Sequence, residues 1–218
     1  MSITERKKLD EIFLHGTNCG IITDIFGFRG TGKTQMALQF SLELLKNGKS
    51  VLFVDTTGEF RPERLLEILK NRNLDNSLLN RLKIARVTNT QEQIDLIQKI
   101  KNTNDVAMLI IDNVADLFSF EYSKKEQFNL QYQKFMNYMH DLAQLAINKK
   151  IPIVITNQLM NANDTEYEKM NYSISNYTHQ KIKLEKQRDH YQATILSPFS
   201  QKIRFFYKIK KMGLVETS

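Results

Sequence analysis

The sequence predicts an α/β fold: a mainly parallel central sheet flanked by helices, with an antiparallel extension at its C-terminal end. Three observations predict it. Short apolar runs alternate with helix-length amphipathic segments from Ile21 to Asn157. A glycine loop of the form G-x-x-x-x-G-K-[ST] joins the first apolar run to the first helical segment. The last third then changes to short alternating segments with a break at Ser197-Pro198.

Taken in order, Ile21–Phe26 reads as a buried strand feeding the loop Gly27-Phe28-Arg29-Gly30-Thr31-Gly32-Lys33-Thr34. A helix follows from Lys33 to Asn47 and is ended by Gly48. Further strands are predicted at Val51–Asp55, Lys83–Val87, Ala107–Asp112 and Ile153–Asn157. The helices between them are Pro62–Arg72, Thr90–Asn102 and Lys124–Asn148. Pro62 suits a first helical position, and Thr90 with Gln93 reads as a capping box. Phe128, Tyr132, Phe135, Met139, Leu142, Leu145 and Ala146 line one face of the last helix, which marks that face as core. Gln180–Lys186, His190–Ser197 and Lys202–Lys210 are the segments of the antiparallel extension.

A chain of 218 residues with 41% hydrophobic content can bury a full core, and one domain over 1–218 is the simplest organisation. No apolar stretch reaches the ~20 residues that span a bilayer, and no membrane role is expected. The N-terminus lacks the apolar block of a secretion signal, and Cys19 is the only cysteine, so a reducing cytoplasm is the expected setting. The net charge of +7 is concentrated: nine basic residues against two acidic ones between Lys181 and Lys211 carry all of it. Seven of the eight glycines lie between Gly16 and Gly58, around the glycine loop.

The chemistry starts at that loop. A strand that feeds a glycine turn opening a helix aims several backbone N–H groups, and the positive end of the helix dipole, at one point. Lys33 would reach the β- and γ-phosphates of a nucleotide, and the Thr34 hydroxyl would ligate Mg²⁺. Met108-Leu109-Ile110-Ile111-Asp112 is the expected second nucleotide signature, a buried strand whose terminal carboxylate completes the Mg²⁺ shell. ATP and Mg²⁺ are therefore the predicted cofactors. His15, His140, His179 and His190 have no partner at metal-ligand spacing.

Several phrases share an order and spacing with a known family. They are Lys8-Leu9-Asp10-Glu11-Ile12, Gly20 to Gly27, Gly32-Lys33-Thr34-Gln35, Val54-Asp55-Thr56-Thr57-Gly58-Glu59-Phe60-Arg61-Pro62-Glu63-Arg64-Leu65, and Ile153-Val154-Ile155-Thr156-Asn157-Gln158. The chain resembles the RecA-like recombinases of archaea and eukaryotes, and by length the RadB branch of small archaeal paralogues, without a separate N-terminal DNA-binding domain. The resemblance implies a RecA-like P-loop NTPase core. It also implies a role in homologous recombination and DNA repair, with single-stranded DNA and a main RadA-type recombinase or other repair proteins as partners. The nucleotide-binding set is then Gly27, Phe28, Arg29, Gly30, Thr31, Gly32, Lys33, Thr34, Gln35, Arg64 and Asp112, with Arg64 in the segment that approaches the adenine in relatives. Gln158 would sense the γ-phosphate. Phe118 to Gln127 would be the first DNA loop and Leu159 to Thr178 the second.

The departures carry as much information. Relatives place a general-base glutamate at the position of Thr57, and a hydroxyl is not a useful base near neutral pH. Glu59, two residues on, is the alternative base, although such a shift usually takes a carboxylate away from the same water. The candidate catalytic residues are thus Lys33, Gln158 and Glu59, and weak hydrolysis is expected. Nothing before Leu9 has the F-x-x-A form that tethers one recombinase subunit to the next, so long self-filaments are not expected. The second loop has no glycine but three evenly spaced tyrosines, Tyr167, Tyr172 and Tyr177.

For nucleic acid the terminal strand is the better signal. Alternation puts Ile203, Phe205, Tyr207 and Ile209 on one side, and Lys202, Arg204, Phe206, Lys208 and Lys210 on the other. Lys202, Arg204, Lys208 and Lys210 are the candidate DNA contacts. The bland reading is an edge strand whose lysines block aggregation. Two other functions fit the sequence: a DNA-stimulated ATPase that exchanges strands itself, and a KaiC-like signalling or scaffold ATPase that acts on protein partners.

Overall fold

The computed structural model describes residues 18–162, 165–197 and 203–217. The Lys8–Ile12 phrase, His15, the Pro198 break and Lys202 lie outside them.

Its first strand, β1 (Ile22–Gly27), is buried along its whole length, which is what an apolar run covered on both faces requires. Helix α1 (Lys33–Lys46) follows, then β2 (Val51–Asp55) and α2 (Pro62–Asn71). A 3₁₀ turn (Asn76–Arg81) leads into β3 (Leu82–Arg86), α3 (Thr90–Lys101) and β4 (Met108–Asp112). Then come α4 (Asp116–Glu121), a 3₁₀ turn (Lys125–Gln127), α5 (Phe128–Lys149) and β5 (Ile153–Ala162). The remainder is β6 (Thr165–Glu168), α6 (Asn171–Ser175), β7 (Gln180–Lys186), β8 (Tyr191–Ser197), β9 (Ile203–Lys210) and β10 (Gly213–Thr217).

The strands form one sheet in the order β10-β9-β8-β7-β1-β5-β4-β2-β3, with β6 added to β5. From β7 through β1, β5, β4 and β2 to β3 every pair is parallel; β7–β8, β8–β9 and β9–β10 are antiparallel. The predicted class and its antiparallel extension are both present. Strand alternation sends Ile25, Phe53, Ile110, Ile182, Phe205 and Tyr207 into a core beneath α1 and α2. Ile22, Val54, Ile111 and Ile155 enter a second core beneath α3, α4 and α5.

Helix ends follow local chemistry. After Asn47, Gly48 at φ 73° lets its N–H reach the Leu45 carbonyl while Lys49 N–H reaches Leu44, so α1 ends where Gly48 was expected to end it. The α3 start differs from expectation. The cap is Asn89, which accepts from Glu92 N–H, while Glu92 reaches back to Thr88. Thr90 instead bonds Glu121 through its N–H and its hydroxyl.

Among the described residues both predicted DNA loops contain regular elements: α4 in the first, and the end of β5, β6 and α6 in the second. Phe118 is fully buried on α4 against Phe135, because an aromatic at that point completes the second core. Past Gln158, β5 runs on four residues and pairs with β6 as a hairpin, Leu159 opposite Glu168. The last strand, β10, was not anticipated and makes β9 an interior strand.

Candidate functional site

The parallel strands end together at one rim of the sheet, where an open α/β sheet binds ligands. Gly27, Asp55, Asp112 and Gln158 all arrive there, and a cleft of ≈ 520 Å³ at this rim is lined by Lys33, Thr34, Asp112 and Gln158. Gly30 and Gly32 turn the chain at φ 81° and 93°, conformations that L side chains rarely adopt. The Thr31 hydroxyl closes the turn on the Phe28 carbonyl at 2.8 Å. At Gly27 a Cβ would lie 2.3 Å from the Leu184 carbonyl oxygen of β7, so only glycine fits between the strands there.

Lys33 folds back over the loop, donating to the Gly27 and Phe28 carbonyls at 3.0 Å each. Burial pulls its pKa below the ordinary lysine value, while Asp112, Asp116 and Glu59 oppose that pull. A cation poorly solvated by water and facing a cleft is suited to an anionic ligand. Thr34 donates its hydroxyl to Asp112 Oδ2 at 2.6 Å, and Thr156 donates to Asp112 Oδ1. Burial raises the Asp112 pKa despite those hydroxyls and despite Lys33. A hydroxyl and a buried carboxylate, both oxygen donors beside the phosphate loop, fit Mg²⁺, which would relieve the desolvated charge. Bound there, the ion would neutralise phosphate charge, with Thr34 and Asp112 holding it.

The end of β2 is organised by Asp55. Its Oδ1 accepts from Thr57 N–H, from the Thr57 hydroxyl and from Gly58 N–H; its Oδ2 accepts from Phe60 N–H and pairs with Arg86 at 3.2 Å. Thr57 thus lines the cleft with its proton committed to a carboxylate. Glu59 also lines the cleft, but Arg29 of the glycine loop holds its Oε1 at 2.5 Å. Gln158 completes the set on the β5 side, and Gln35, Asn113 and Asp116 line it too.

The family model described as Rad51 matches residues 1–178, more than three quarters of the chain. The chain belongs to the Rad51 family. Its core is therefore RecA-like, and its kin are proteins of homologous recombination and repair that generally bind ATP with Mg²⁺ and single-stranded DNA. Among the described residues no helix is long and apolar enough to cross a membrane. The match to the Rad51 family ends before β7 begins.

Some expected residues sit apart from the cleft. Arg64 donates to Gln35 Oε1 at 2.7 Å and to the Lys210 carbonyl at 2.6 Å, and pairs with Glu67, so it ties α2 to the β9–β10 turn. Arg204, Lys208 and Lys210 are exposed on one face of β9, as alternation predicts. Lys202 falls outside the described residues. Tyr172 is 68% exposed beside Tyr132, whereas Tyr177 is half-buried against His140. Glu166 and Glu168 of β6 bond Lys183 and Lys181.

Several neighbours of the cleft were not singled out by sequence pattern. Asp116 and Asn113 carried no distinctive pattern, and Thr156 stood within the phrase from Ile153 to Gln158 without a role of its own. Ile209 lines the cleft from β9, and its Cδ1 lies 3.0 Å from where a Cβ on Gly32 would be. Tyr207 donates to the Thr31 carbonyl at 2.6 Å. Inward alternation along β9 was visible; its target, 176 residues away, was not.

Proposed function

We propose that this Rad51-family chain binds ATP·Mg²⁺ and single-stranded DNA and assists a main RadA-type recombinase in the manner of RadB, with weak ATP hydrolysis. The observation that carries the reading is Thr57: it stands where the resemblance calls for a general-base glutamate, and its hydroxyl is taken up by donating to Asp55 and accepting from Glu59 N–H, which leaves no base there for an attacking water. Lys33, Thr34 and Asp112 supply binding without supplying a base. ATP then acts as a conformational ligand. A path from the cleft supports this: Asn157, next to Gln158, donates to Glu168 and to the Lys169 carbonyl, and Lys169 pairs with Asp116 at the cleft wall. Occupancy of the cleft therefore bears on the β5–β6 hairpin. The row Lys202, Arg204, Lys208 and Lys210 is the DNA contact, through phosphates and counterion release.

ATP turnover with and without single-stranded DNA tests this, with Lys33→Ala as the blank. Thr57→Glu is expected to raise turnover about tenfold or more, since a positioned base is worth about 10²–10⁴. Wild-type turnover equal to that of a competent recombinase, unimproved by Thr57→Glu, would overturn the reading. One observation favours a second reading: Glu59 does line the cleft, as a DNA-stimulated ATPase that exchanges strands would need. In that case DNA accelerates phosphate release and Glu59→Gln abolishes the acceleration.

A further inference from the structure

On the α1 side, β7 to β10 contribute Ile182, Leu184, Ile195, Phe205, Tyr207 and Leu214 to the core. The opposite face of the same strands continues the face that α3 and α5 cover farther along the sheet. Over β7 the β5–β6 hairpin reaches it, through Glu168 on Lys181 and Glu166 on Lys183. Over β9 no described helix lies. There Phe206 stands 41% exposed between Arg204 and Lys208, with Gln192 of β8 opposite it on one side and Thr217 of β10 on the other. The His190 ring meets it at 4.7 Å with the planes at 84°.

Two physical points make this aromatic informative. Its neighbours Phe205 and Tyr207 already fill the core, so burial of the fold does not account for a phenylalanine at 206. Nor are the flanking cations guards of a free edge, because β9 is hydrogen-bonded on both sides and β10 is the edge. Outward residues along a strand recur every ~6.8 Å, so Arg204, Phe206, Lys208 and Lys210 make a row of ~20 Å. Glu185 of β7, on this same face through Gln192, is engaged by Lys183 at 2.9 Å. A cationic row interrupted by one exposed ring matches a chain of phosphates that carries unstacked planar bases.

We propose that the open face of β8 to β10 is a platform for single-stranded nucleic acid, on which Phe206 stacks one base while Arg204, Lys208 and Lys210 meet the phosphates beside it. The proposal rests on the reading that this basic row contacts DNA, and adds to it a preference for unpaired bases.

The test compares Phe206→Ala, Phe206→Trp and the triple variant Arg204→Ser, Lys208→Ser, Lys210→Ser in the full chain, with Tm confirming the fold of each. The probes are an oligo(dT), an abasic strand of equal length and a duplex, each titrated at several salt concentrations. Phe206→Ala is expected to weaken oligo(dT) binding about 5- to 100-fold with an unchanged salt slope, the range one base stack supports. Phe206→Trp retains the affinity, and the abasic strand and duplex do not register either substitution. Equal loss on oligo(dT) and the abasic strand, or no loss on either, overturns the stacking role. If the triple variant keeps both affinity and slope, the underlying DNA reading fails as well; if it flattens the slope while Phe206→Ala changes nothing, only the stacking role fails.

Discussion

Burial of Asp24 in the middle of β1 sets a pH dependence separate from nucleotide binding. Its carboxyl is pushed well above the usual carboxylate range, first by burial and then by the charge of Glu168, with Lys181 at 3.2 Å opposing. A raised folded pKa means that this group's contribution to stability is complete below about pH 4, its ordinary value, and is lost as pH rises through the folded value. Asp24→Asn imitates the protonated form at every pH. Its Tm is expected to exceed that of wild type near pH 7 and to converge with it near about pH 4. A Tm below wild type throughout that window would show that the attraction of Lys181 outweighs burial. Little of this was legible. Ile21-Ile22-Thr23-Asp24-Ile25-Phe26 reads as a buried strand, but which charges meet Asp24 depends on β6 and β7, about 150 residues on in a chain of 218. The placing of Lys33 and Thr34 was legible because a loop fixes its own geometry locally. Asp112 was expected from the apolar run that it ends, and it meets Thr34 only through the sheet, 78 residues on. Arg64 was placed by resemblance, whereas its backbone partner, the Lys210 carbonyl, comes from the β9–β10 turn.

Among the elements, β9 and β10 form the outer wall of the phosphate loop. Gln39 of α1 exchanges hydrogen bonds with both backbone groups of Leu214, Arg72 holds the Met212 carbonyl at 2.7 Å, and Tyr207 holds Thr31. Burial pushes the Tyr207 hydroxyl above its ordinary pKa, so it stays a donor across the working range. Tyr207→Phe removes one buried hydrogen bond and leaves the Thr31 carbonyl without that donor, a cost of about 1–3 kcal/mol. Calorimetric titration should show ATP affinity reduced several-fold while far-UV spectra stay native. Unchanged affinity together with unchanged Tm would show that the hydroxyl does not hold the loop. Strands β1, β2, β4 and β5 could be read from their apolar runs, since strands covered on both faces carry little else. The hairpin strand β6 could not, because Thr165-Glu166-Tyr167-Glu168 has no apolar alternation; its pairing comes from the continuation of β5 and from Lys181 and Lys183 beneath it. Helix α4 is only six residues long, and its signal is a single buried aromatic, Phe118.

At the scale of the whole molecule, one hydrogen-bonded line crosses the rim of the sheet: Thr34 at the start of α1, Asp112 at the end of β4, and Thr156 on β5. A ligand that engages this line binds the folded chain and not the unfolded one, so it stabilises the whole core. At a hundred times its dissociation constant the gain is about 2.7 kcal/mol, which for a domain of this size corresponds to a Tm rise of roughly 5–10 °C. Lys33→Ala is expected to lose most of that rise. Asp112→Asn separates metal from nucleotide. The raised pKa of Asp112 means that its charge is held at a cost in the ligand-free fold, so removing the charge should leave the ligand-free Tm equal to wild type or higher. The same substitution removes the carboxylate that a dication would neutralise. Thermal shifts with ATP plus Mg²⁺ and with ATP plus a chelator measure the two contributions separately. The variant should keep the chelator-resistant shift and lose the Mg²⁺-dependent increment. An increment of wild-type size in Asp112→Asn would place the metal elsewhere in the cleft, with Asp116 and Glu59 as the remaining carboxylates on its wall.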